Sequence, residues 1–148
     1  MPHSTTYANN VLNYTFGKTK TLTAPSYVYV ALSSNDPEAD GGTFTELSGG
    51  NYSRVMIEQN GYEYPAKMSA ATARKILNAE QINWNKATAD WATAKGFALF
   101  DAKSGGNMIF YGKLAQDVTV VEGAVALFEP EGFALECATT DNDATTTT

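Results

Sequence analysis

The chain has 148 residues, 43% of them hydrophobic and only 18% charged, enough apolar material for one domain-sized core. Sixteen acidic against ten basic residues leave a net charge of -6, the wrong sign for a free-standing nucleic-acid binder. One His (His3) and one Cys (Cys137) exclude an intrachain disulfide and most single-chain metal sets and catalytic triads.

Thr, Ala and Asn supply 18, 21 and 11 residues, which predicts a polar but largely neutral surface. The N-terminus shows neither a charged n-region nor an apolar h-region, and no apolar run reaches bilayer-spanning length. The expectation is a soluble protein made in a reducing cytoplasm, with no membrane, nucleic-acid or cofactor partner.

In chain order, residues 7–16 read as a helix. Tyr7, Val11 and Tyr14 recur at three- and four-residue spacing, Thr5 or Thr6 is placed to cap the start, and Gly17 to end it. So short a helix must pack on something. Past Pro25 the pattern turns to strand over 26–32, and composition sets a turn at Ser33 to Pro37. A long exposed loop follows to Asn51, then a strand over 52–58 closed by Gln59, Asn60 and Gly61. Ala70, Ala71, Ala73 and Arg74 favour a helical turn or two within 68–77, while 79–84 alternates as a strand. Trp91, beside Asp90, reads as an aromatic anchor flanked by turns. Strands are predicted over 95–100 and 107–114, joined by a hairpin turn at 101–106, then over 117–122, 124–128 and 133–137.

Seven or eight short strands between Gly-rich turns predict a mainly β fold: an antiparallel sandwich or jelly-roll-like domain with a short N-terminal helix. Residues 1–138 form this single domain, and 139–148 a polar, Thr-rich C-terminal arm whose composition cannot build a core.

Candidate chemistry is sparse. Asp36, Glu38 and Asp40 with Gly41 have the spacing of a calcium loop. Position twelve is Leu47, however, Glu46 comes one residue early, and Pro37 interrupts the run, so a solvated acidic loop is the expected state. Glu129 and Glu131 form a local carboxylate pair in a turn, Cys137 has no base beside it, and Gly49-Gly50 and Gly105-Gly106 read as turn glycines rather than phosphate loops. No catalytic, metal or cofactor residue is assigned. Trp84 and Trp91 are the candidates for stacking on a sugar ring, against the alternative of core or interface packing.

An ordered series of segments carries a resemblance. Tyr7-Ala8-Asn9 leads to Phe16-Gly17, followed by Thr23-Ala24-Pro25, Tyr29 to Ser33, Asn35-Asp36-Pro37 and Gly49 to Val55. Ala89-Asp90-Trp91, Gly96 to Ala102 and Gly105 to Leu114 complete it. The series, from residue 7 to about 135, resembles small virion structural proteins of tailed bacteriophages often labelled tail fibre proteins. The resemblance implies a non-enzymatic virion component that contacts capsid or tail proteins. A fibre shaft would need repeats or heptads, and none is present, which favours a decoration, collar or short-spike module forming a homo-oligomer. Tyr7, Val11, Leu12 and Tyr14 of the helix and Thr139, Asp141 and Asp143 of the arm are the expected interface residues. A module recognising host glycan is the alternative.

Overall fold

The computed structural model describes residues 4–19, 27–57, 68–73 and 75–136. His3, Pro25, the turn at 59–61, Cys137 and the 139–148 arm lie outside these. Helix α1 spans Thr5–Thr15. Its cap is Ser4, one residue before the expected threonines: Ser4 is extended (φ -67°, ψ 153°), and its hydroxyl accepts from the Tyr7 N–H at 3.1 Å. Gly17, at φ 68°, ends the helix as expected. The Ser4 N–H also donates to the Ile109 carbonyl at 2.9 Å, which ties the helix start to a strand.

Among the described residues eight strands follow: β1 (Val28–Ser33), β2 (Val55–Ile57), β3 (Lys75–Leu77), β4 (Ile82–Asn83), β5 (Thr93–Phe100), β6 (Met108–Thr119), β7 (Leu127–Phe128) and β8 (Ala134–Glu136). Four make an antiparallel sheet in the order β2-β1-β5-β6, while β3-β8 and β4-β7 are two-stranded antiparallel ribbons. The fold is mainly β with one short helix, as expected.

Register follows from alternation, because neighbours on a strand face opposite sides. Val30 pairs with Leu99 and Leu32 with Phe97, so these four share a face. The ribbons close that face: Phe97, Phe128 and Phe133 meet with ring centroids 5.1–6.3 Å apart, mostly edge to face. On the opposite face Ala31 pairs with Ala98 and Ala98 with Tyr111, under Phe44 from the long loop. Small residues are needed there because the loop lies close. A Cβ on Gly96 would stand 2.3 Å from Pro37 Cδ, so the chain at 36–37 seats directly on β5.

Two expectations need correction. Among the described residues of 68–77 there is no helical turn; Lys75–Leu77 is a strand against Ala134–Glu136, and Met68 bridges to Asn78. Alanine propensity is worth only tenths of a kcal/mol per residue, and the hydrogen bonds and burial of a ribbon outweigh it. Only the first half of the separate strand expected over 117–122 is strand, and it belongs to β6, which runs unbroken to Thr119 and absorbs a register shift opposite Ala94 and Gly96.

Asn78 is fully buried, yet its side chain is satisfied. Its amide donates to the carbonyls of Glu80 and Glu129, both at 2.8 Å, and its oxygen accepts from the Phe133 N–H at 2.8 Å. One side chain thereby fixes the turn before β8. Asn78→Asp replaces the two donors with a carboxylate oxygen facing two carbonyls, and is expected to destabilise by about 3 kcal/mol or more. Urea unfolding followed by circular dichroism measures this; an unchanged midpoint would remove Asn78 from the account of the ribbon.

Candidate interaction surfaces

The long loop and the β5–β6 hairpin turn are held by one guanidinium. Arg54 is 8% exposed, and it donates from Nε and Nη2 to the two oxygens of Glu46 at 2.9 and 2.8 Å. From Nη1 it donates to the carbonyls of Ala102 and Gly105, each at 2.8 Å. Its central carbon lies 3.7 Å from the centroid of the Phe100 ring. Tyr52 joins the cluster: its hydroxyl donates to Glu46 at 3.1 Å and accepts from the Leu32 N–H at 3.0 Å. Burial first, then the neighbouring Glu46 carboxylate, push the Tyr52 phenol well above its ordinary pKa of 10.0, with only partial opposition from the Leu32 N–H and Arg54. These are scaffold contacts.

The first surface is α1. Tyr7 and Val11 are half-buried toward the sheet, and the Tyr7 ring sits 4.9 Å from that of Phe110 on β6. Leu12 is 54% exposed, Tyr14 49% and Phe16 73%. Leu12 and Phe16 point away from the face that Tyr7 and Val11 turn to β6, because positions four apart share a helix face. The helix contains no charged residue, and Lys18 follows it. Two of the expected interface residues are therefore seated against β6, two are open to solvent, and Phe16 joins the open pair.

The second surface, not anticipated from sequence, lies where the far end of β6 meets β7. Val118, Val121, Val125 and Leu127 are 41–50% exposed. Between them opens an apolar cavity of about 50 Å³, floored by buried Leu32, Trp84, Leu114 and Val120 and rimmed by Val118 and Leu127. The indole Nε1 of Trp84 is buried without a hydrogen-bond partner. The valine content of 117–121 was the available signal, and reading it as one more strand hid its exposure.

The candidate sugar platforms do not hold. Trp84 is 3% and Trp91 4% exposed, so neither presents a ring face. Trp91 is an anchor instead: its Nε1 donates to the Gly50 carbonyl at 2.8 Å, and its ring meets Tyr52 edge to face at 5.3 Å. The acidic loop turns its carboxylates on itself. Asp36 accepts from the backbone N–H groups of Glu38 and Ala39 and lies 3.7 Å from Lys113, while Asp40 accepts from the Asn35 amide at 2.8 Å. Among the described residues, no three His, Cys, Asp or Glu converge on a common point, and no helix is long and apolar enough to cross a membrane. Thr139, Asp141 and Asp143 lie outside the described residues.

A family model described as Gp80, the podophage GP4 fiber I protein gp80, matches residues 2–136. No curated protein matches the chain.

Arg54→Lys keeps the charge but loses the two-pronged pairing with Glu46 and the bonds to the hairpin carbonyls. It is expected to cost about 3 kcal/mol, read as a lower midpoint of chemical unfolding; wild-type stability would refute the role given to the guanidinium. Tyr52→Phe strands the Leu32 N–H and should cost about 1–2 kcal/mol at neutral pH. The native state holds the Tyr52 proton more tightly than the unfolded chain does. The stabilisation is therefore whole below pH 10.0 and lost as pH rises beyond it, so the gap between wild type and Tyr52→Phe should narrow in alkali. A gap constant across that range would contradict the assignment.

Proposed function

Because the chain belongs to the family of the podophage GP4 fiber I protein Gp80, and is thereby a phage-fibre-type structural protein of the virion, we propose that it is mounted on the capsid or tail through protein–protein contacts made by α1. In this role it acts as a decoration, collar or fibre-like component and catalyses no reaction. The observation that carries the reading is the set of large apolar side chains left exposed around the C-terminal half of α1. Leu12, Tyr14 and Phe16 stand in solvent at half exposure or more on a helix that carries no charge. Large apolar side chains left on a capped, tethered helix make a desolvation-ready anchor, the kind of residue that dominates interface energetics.

A virion protein of this kind is bound in many copies, so each contact need only be modest for the assembled array to hold. The net charge of -6 keeps the free subunit soluble, and the uncharged helix lets it approach an acidic neighbour without local repulsion. Thr139, Asp141 and Asp143 extend the proposed contact region as part of the polar arm.

The test is incorporation. Phage assembled with Leu12→Asp/Tyr14→Asp in this protein are expected to lack it, as read by mass spectrometry of purified particles, while the isolated variant keeps its circular dichroism and melting temperature. Particles carrying the folded variant at wild-type copy number would overturn the proposal. Removal of residues 139–148 is expected to reduce copy number without altering the melting temperature.

A further inference from the structure

The two apolar surfaces on this chain are different in shape, and they fit each other better than either fits itself. The region at the end of β6 is concave, with Val118 and Leu127 on its rim and Leu114, Val120 and Trp84 beneath. The end of α1 is convex, with Phe16 73% and Leu12 54% exposed. Two concave surfaces brought together leave their floors empty, and two knobs touch only at their tips.

Their placement is also polar. α1 packs on β6 near Phe110, and the cavity is reached near Val118, eight residues further along this bulged strand, or roughly 17 Å measured along its partner β5 from Leu99 to Ala94. The charges agree with the shapes. Asp117 and Glu122 are exposed beside the cavity, and Asp90 is held next to them by accepting from the Glu122 N–H at 2.7 Å. Lys86, near Gly123, is the opposing charge there. The α1 end carries Lys18 and no acidic residue. Finally, the cavity is lined by an indole whose buried N–H is unpaired.

We propose that the β6–β7 cavity is a socket for the α1 end of a second copy of this chain, with Phe16 and Leu12 as the inserted side chains. The contact is heterologous: helix end of one copy, socket of the next. Repetition yields a closed ring, whose smallest member is a reciprocal twofold pair, or an open head-to-tail array. The inference rests on the reading of α1 as an anchor and names its partner as the protein itself.

The test is complementation in solution, which needs no particle. Wild-type protein is expected to self-associate in sedimentation velocity. Phe16→Asp removes the knob and Leu127→Asp the socket, and each alone should weaken association by about tenfold or more. Val118→Asp, a second socket variant, guards against misfolding at Leu127, and melting temperatures confirm that each variant folds. Mixing knob-less and socket-less variants leaves one intact pairing, so the mixture should form a capped one-to-one pair that neither forms alone. A monomeric wild type, folded variants that associate as wild type does, or a mixture that stays monomeric would each overturn the proposal. The reading of α1 as a virion anchor would survive those results if the Leu12→Asp/Tyr14→Asp variant were still excluded from particles, since its partner would then be a different virion protein.

Discussion

A guanidinium withdrawn from water is costly unless nearly all its donors find acceptors, and Arg54 meets that condition. Glu46 takes two of its N–H groups, the carbonyls of Ala102 and Gly105 take two more, and Phe100 covers its flat face. The approach to β2, which carries Arg54, is thereby tied to the end of the long loop and to the turn of the β5–β6 hairpin. The ion pair contributes geometry more than net stability, because its Coulomb attraction largely offsets desolvation. With the hairpin turn fixed, β6 is held along its length, and with it both the α1 seat and the cavity at the strand's far end.

Much of the fold was legible because burial imposes period two. Val28, Val30 and Leu32 alternate toward one face, as do Phe97 and Leu99, and the hairpin between β5 and β6 is written in Asp101, Gly105 and Gly106. The helix stop at Gly17 was equally plain. Where reading failed, the deciding contact lay far away in sequence. Residues 75–77 are strand because residues 134–136 pair with them, and nothing local to Ala70, Ala71 and Ala73 announces that. Arg54 and Glu46 are eight residues apart on no shared element, so their pairing has no periodic signature.

The surfaces were legible by half. An apolar helix residue can be located by spacing, but whether it faces a strand or solvent depends on where the helix docks. Tyr7 and Val11 went to Phe110, and Leu12, Tyr14 and Phe16 did not. Composition invites a sugar-stacking role for Trp84 and Trp91, since aromatic residues serve cores and interfaces alike. Both were claimed by the core, Trp91 through its bond to the Gly50 carbonyl.

The strand order also constrains the chain's own synthesis. β1 is an inner strand, and its longer partner is β5, whose paired residues lie some 60 positions downstream; β3 waits equally long for β8. While the first half leaves the ribosome, β1 has only the three-residue β2 and a bridge from Ser33 to Glu46 to pair with, which is too little sheet to stand alone. The central sheet therefore closes only after the β5–β6 hairpin has been made, and the ribbon only at residues 134–136. Folding is a late and largely all-at-once event, on the order of milliseconds to seconds for so non-local a pairing pattern. Until then a nearly complete chain exposes its apolar strands, the condition under which nascent chains aggregate.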